Sequence, residues 1–193
     1  MLDIIIYVAI NTILVVLLVL CSYEDIKNKI IPNKYTIPAL IAGLVLMTIS
    51  GGFVGLKESF FGFLLGFVVF LIPFLFGSMG AGDVKLMAAI GALKGVSFTY
   101  YSLIASGIAG GVMVLIYVIY KKQLLQTFIN MFGIIVRPFT KMLYLNSGNR
   151  LAKKIFNYFD NVKQKNPDLY IPYAVPISIG TIGVLVSSIF NLL

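Results

Sequence analysis

The side chains in this sequence that could do acid or base chemistry are few, and almost all are carboxylates. There are seven: Asp3, Glu24, Asp25, Glu58, Asp83, Asp160 and Asp168; histidine is absent and Cys21 is the single cysteine. That inventory excludes an imidazole-assisted serine or cysteine nucleophile, a zinc held by His and Cys and an internal disulfide. Glu24, Asp25 and Asp83 stand at the ends of long apolar runs. Carboxylates at membrane depth are expensive and tend to be kept for function. Two that sit close together cannot both ionise cheaply. One keeps a proton while the other draws a proton from water, which is the chemistry of acid–base hydrolysis. Two other uses of such a pair are a divalent cation and a proton or cation carrier. A hard cation wants about six oxygen ligands, more than Asp25, Asp83 and Glu24 supply, so neither metal nor other cofactor is expected. A small proton- or cation-coupled transporter, the alternative reading, predicts inverted repeats and helices broken at the midplane. The sequence shows no internal repeat.

The elements that must position these carboxylates are membrane helices. Of 193 residues 60% are hydrophobic and 11% charged, and the mean hydropathy is +1.00. Soluble domains carry about 25% charged residues. Apolar runs at 4–22, 36–50, 60–78, 84–97, 98–120 and 170–192 predict an all-α bundle of about six transmembrane helices, forming one integral-membrane domain over 1–193. The fourth run is short. About 14 residues follow Asp83 before the next polar stretch, near 21 Å of helix, so the helix either extends past Ser97 or starts recessed in the membrane. The start at Met1-Leu2-Asp3 has no basic region and the first apolar run has no small-residue cleavage site, so it reads as a permanent span.

The net charge of +8 does not indicate nucleic acid, because the positive residues lie between apolar runs. With the loop after the first span in the cytoplasm, that side receives Lys27, Lys29, Lys34, Lys121, Lys122, Arg137, Lys141, Arg150, Lys153, Lys154, Lys163 and Lys165, while only Lys57 and Lys94 fall outside and Lys85 sits at the cytoplasmic end of the fourth span. Cytoplasmic loops are enriched in Lys and Arg. Both termini are therefore expected outside, and Asp25 and Asp83 on the same, cytoplasmic face. Residues 121–169 mix apolar and basic positions and are expected as a cytoplasmic insert lying on the anionic membrane surface.

Asp83 follows Gly80-Ala81-Gly82, where glycine allows unusual backbone angles and close helix contact. The stretch Gly80-Ala81-Gly82-Asp83-Val84-Lys85-Leu86 resembles the glycine-any-glycine-aspartate signature of intramembrane aspartyl proteases in the form found in type IV prepilin peptidases. Asp25, with Lys27 and Lys29 and then Ile31-Pro32-Asn33, is similar to that family's first aspartate motif, and Ile171-Pro172-Tyr173-Ala174-Val175-Pro176-Ile177 to its entry into the last span. The resemblance covers about 12–120 and 170–190. It implies a membrane-embedded aspartic endopeptidase with Asp25 and Asp83 as the catalytic pair. The substrate it implies is a pilin-like or flagellin-like precursor, cut between a short basic leader and a hydrophobic helix at the cytoplasmic face. The larger members carry a cysteine-rich N-terminal region connected with methylating the new N-terminus. With Cys21 alone, a peptidase-only form without N-methyltransferase activity is expected.

Substrate-binding or supporting roles are expected for Glu24, Lys27, Lys29, Pro32, Asn33, Gly80, Gly82, Lys85 and Tyr173. Each also has a plain structural reading. Glu24 points about 100° away from Asp25 around a helix and would face headgroups or a leader lysine. Asn33 would cap the second span and Pro32 make the turn before it. Lys85 would balance Asp83 or mark the membrane boundary, and Tyr173 would anchor at the headgroups.

Overall fold

The structure, a computed structural model, describes residues 1–77, 79–120 and 172–190, together with Met142, Lys154, Ile155 and Asn157. Apart from those four positions, the expected insert at 121–169 lies outside the described residues. Met1–Val112 and Pro172–Leu193 make one compact unit and Met113–Ile171 a second. Among the described residues the fold is all-helical: α1 (Leu2–Asn28), α2 (Asn33–Leu75), α3 (Ala81–Tyr120) and α4 (Ala174–Ile189). The first three are long and apolar enough to cross a membrane, while α4 is a shorter apolar helix of 16 residues.

In α1 the buried residues Ile6, Ile10, Leu14, Leu17, Leu18, Cys21 and Asp25 recur at three- and four-residue spacing, which is one stripe of a helix. The carboxylate thus ends the same stripe that packs the core. Lys29 closes α1 in the left-handed region (φ 57°), its N–H reaching Asp25 O. Pro32 then leads in extended form (φ −72°, ψ 141°) into α2.

Two glycines break the long helices. At Gly52 (φ 55°, ψ −136°) α2 divides into 33–51 and 53–75. A Cβ on Gly55 would run into the Met47 carbonyl, eight residues back and about 12 Å away in a straight helix, so the chain folds back sharply here. At Gly95 (φ 78°, ψ −175°) α3 divides into 81–94 and 96–120. The break thus falls two residues before the expected boundary at Ser97, and the fourth run does not extend past it as one straight helix. These two breaks yield six helical segments among the described residues.

The segment 81–94 is the centre of its unit. Val84, Leu86, Met87, Ala88, Ala89, Ile90, Ala92 and Leu93 are all buried, as befits a helix apolar all round. Close approach is made by small residues. Gly43 packs on the backbone of Ala92 and Leu93, Gly62 on Gly91 and Gly95, and Gly66 on Met87, each where a Cβ would strike backbone.

Candidate active site

Asp25 and Asp83 come from different helices and are both buried, at 3% and 6% exposure. They lie within electrostatic reach of each other. Each has one carboxylate oxygen fixed by a backbone donor. The Ala174 N–H donates to Asp25 Oδ2 at 2.9 Å, and the Gly80 N–H donates to Asp83 Oδ2 at 3.0 Å. The second bond closes a reciprocal pair, since the Asp83 N–H reaches Gly80 O at 3.2 Å. This is half of a capping box, with Asp83 in the third position of α3. The bond accounts for an acidic residue at a helix start, but not for its burial beside a second carboxylate.

The start of α4 is held against α1 by residues that the sequence reading missed. Ser22 Oγ lies 2.8 Å from Ser178 Oγ and donates to Ala174 O at 3.3 Å, and Ser178 Oγ donates to Leu18 O at 3.2 Å. Small hydroxyl residues inside apolar helices bond across helix pairs. The available signal was Ala174 and Ser178 one turn apart on α4, with Leu18 and Ser22 one turn apart on α1. Tyr173, half-buried at the mouth of this joint, has its phenol pushed up by burial and then by the Asp83 charge.

Of the glycines before Asp83, Gly82 acts by space rather than by backbone angle, while Gly80 has room for a Cβ. Among the described residues the positive-φ glycines are Gly52, Gly77 and Gly95, so Gly80 and Gly82 keep ordinary backbone angles. A Cβ on Gly82 would lie 2.7 Å from Ile31 Cβ, and one on Gly80 would lie 3.4 Å from Asp83 Oδ2. Gly82 thereby lets the Ile31–Pro32 link lie on the first turn of α3. That contact is continued by Lys85, whose Nζ donates to Asn33 Oδ1 at 2.9 Å. Asn33 makes no side-chain cap on α2, where the cap position belongs to Pro32 (φ −72°, ψ 141°).

Glu24 faces away from the pair, as expected from its neighbouring position on α1, but its partners are within the protein. Its carboxylate accepts from Asn28 Nδ2 and from Tyr35 OH and lies 3.6 Å from Lys34 Nζ. It braces α1 against α2. Lys27 turns back to Tyr23 OH at 3.3 Å on the exposed face. Lys29, also exposed, lies at the left-handed end of α1. Among the described residues no group of three or more His, Cys, Asp or Glu side chains comes together, so the carboxylates available to any metal are the pair itself.

The sequence has counterparts among known proteins. The model of the type IV leader peptidase family matches residues 12–115. Over 103 residues the chain is 34% identical to the prepilin leader peptidase/N-methyltransferase of Aeromonas hydrophila, covering 50% of this chain and 35% of that protein. It is 29% identical over 114 residues to the protein of the same description from Bacillus subtilis (strain 168), covering 55% and 45%. It is 35% identical over 88 residues to a prepilin peptidase of Methanocaldococcus jannaschii, covering 45% and 24%. The chain thus spans less than half the length of these relatives. No solved structure matches it.

Proposed function

The chain belongs to the type IV leader peptidase family, and from that premise we propose that it is a membrane-embedded aspartic endopeptidase. Its proposed substrate is a prepilin-like or preflagellin-like precursor, from which it removes the short basic leader at the cytoplasmic face of the inner membrane. The observation that carries this reading is the burial of Asp25 and Asp83, from two helices, within electrostatic reach of each other. In the proposed reaction one carboxylate takes a proton from water as the water adds to the scissile carbonyl. The other, protonated, donates to the carbonyl oxygen, and the departing amine then takes up a proton. The backbone bonds to each Oδ2 hold both carboxyl groups at fixed angles, and exclusion of water strengthens their action on the substrate.

The remaining residues take supporting parts in this reading. Gly80 and Gly82 seat Asp83, and the Asn33–Lys85 bond with Pro32 holds the start of α2 against it. Tyr173 offers a phenolic donor beside the pair. Lys27 and Lys29 share the charge sign of a basic leader and are assigned to the anionic headgroup layer instead. All six helical segments cross the bilayer in this reading, with both ends of the described chain outside and the basic 121–169 stretch on the cytoplasmic surface. The 14 residues of 81–94 give about 21 Å of helix against a core of about 30 Å, so Asp83, Lys94 or both lie recessed below the surface. Methyl transfer, the second activity in the names of two relatives, is left out of the proposal because the sequence has one cysteine.

Inverted membrane vesicles carrying the protein should release the leader from an externally added precursor, with chelator present, while right-side-out vesicles should not. Cleavage only by right-side-out vesicles would reject the orientation. Loss in chelator with recovery on adding a metal would reject the aspartyl chemistry.

A further inference from the structure

A groove of about 370 Å³ opens between α1 and the first half of α2. It uses the face of α1 next to the stripe that ends in Asp25, and Leu17 belongs to both. Ile13, Val16 and Leu20 make one wall and Pro38 and Ala42 the other, with Lys34 and Tyr35 at one end. The one other polar side chain lining it, Thr12, already donates to Val8 O at 2.8 Å.

The dimensions decide what fits. The lining runs from Thr12 to Leu20 on α1 and from Lys34 to Ala42 on α2, about 13 Å at a rise of ~1.5 Å per residue. That is close to the ~15 Å occupied by one leaflet of a ~30 Å core. An extended peptide would leave its N–H and C=O groups facing apolar walls, which backbone at membrane depth does not tolerate. A hydrocarbon chain has the length and no polar groups.

The end of the groove supplies the matching charge. Leu20, Glu24 and Lys27 share one face of α1 at four- and three-residue steps. Lys34 lies 3.6 Å from Glu24 with its side chain 63% exposed, and Tyr35 OH is taken up by Glu24. Two cations against one carboxylate leave a single positive charge where a phosphodiester would lie. We propose that this groove holds one acyl chain of a glycerophospholipid from the leaflet on the Asp25 side, its phosphate against Lys34. The chain fills the gap between the helix that carries Asp25 and the helix that opens with Asn33. This inference rests on membrane residence and not on the peptidase reading.

Native mass spectrometry of delipidated protein, titrated with phosphatidylglycerol or with diacylglycerol of the same chains in mixed micelles, tests it. The expected result is one phosphatidylglycerol per chain, bound about fivefold more tightly than diacylglycerol, with Lys34→Gln erasing that preference. Ala42→Phe, or Val16→Trp from the opposite wall should the first variant fail to fold, should lower binding of both lipids at least tenfold. Unchanged retention by a folded groove-filling variant, or equal binding of the two lipids by the unaltered protein, would overturn the proposal. Leader release is not the readout, so failure here leaves the peptidase reading standing, and the reverse.

Discussion

At the end of the bundle that carries Lys94, the charges have neutral partners. Lys94 Nζ donates to Asn11 Oδ1 at 2.9 Å and lies over the rings of Tyr7 and Phe98, at 5.2 Å and 4.8 Å from their centroids. Glu58 Oε2 accepts the Val96 N–H at 3.3 Å, where the break at Gly95 leaves a helix start without internal partners. Helix architecture accounts for that end completely. At the other end Asp25 and Asp83 also have backbone donors, yet they lie within electrostatic reach of each other. Like charges brought together in a poorly solvated place oppose folding, and an uncharged residue at either position would remove the repulsion. Ordinary packing thus explains why Lys94 and Glu58 are tolerated, and does not explain the carboxylate pair. Burial separates the two ends as well, since Asp25 and Asp83 are buried whereas Lys94 is half-buried and Glu58 exposed.

The largest effect expected from this contrast is on cleavage. Asp25→Asn and Asp83→Asn should each lower leader release by about a hundredfold to ten-thousandfold while the protein stays folded and inserted. Lys94→Met and Glu58→Gln should leave release within a few fold and lower stability by about 1–2 kcal/mol, read as a shift in thermal unfolding. A variant at Lys94 or Glu58 that lost cleavage without losing stability would erase the distinction between the two ends.

A smaller effect is expected where packing serves the site. Gly82→Ala places a methyl group against Ile31 and must shift either the Ile31–Pro32 link or the first turn of α3. A displacement near 1 Å at a catalytic group costs about a hundredfold in rate, so release should fall by about ten- to a hundredfold with at most about 1–3 kcal/mol of stability lost. Gly82→Ala with full activity would show that the glycine is there for packing alone.

These differences mark how far the amino-acid sequence is legible. That Asp25 and Asp83 reach one end of the bundle follows from the lengths of the apolar runs, because a helix long enough to cross carries its terminal residue to a known side. The breaks at Gly52 and Gly95 are legible only to within a few residues, since a glycine permits a positive φ without requiring it. The partners of Asn33, Glu24 and Ser22 are not legible at all. Each depends on which helix faces which, and hydropathy along the chain carries no such information. Asn33 is a good cap by type, but Lys85, fifty-two positions away, takes its side chain instead. The use of Gly82 as space rather than as flexible backbone is set in the same way, by Ile31 arriving over it.

The smallest effect concerns the clamp between α1 and α4. Ser178→Ala removes hydrogen bonds to Ser22 and Leu18 and should lower stability by about 0.6 kcal/mol. Release should fall only a few fold, through looser placement of the Ala174 N–H on Asp25. Thermal unfolding and release rates measured on the same preparation would show whether the clamp serves the site beyond its share of stability.

The central claim is that Asp25 and Asp83 work as one unit, and a kinetic double-mutant cycle on leader release tests it most directly. The account predicts that Asp25→Asn with Asp83→Asn together lose about as much activity as either change alone, because removing one partner already removes the acid–base pair. Losses that multiply, with the double variant slower by the product of the two single effects, would mean that the carboxylates act independently and would contradict it.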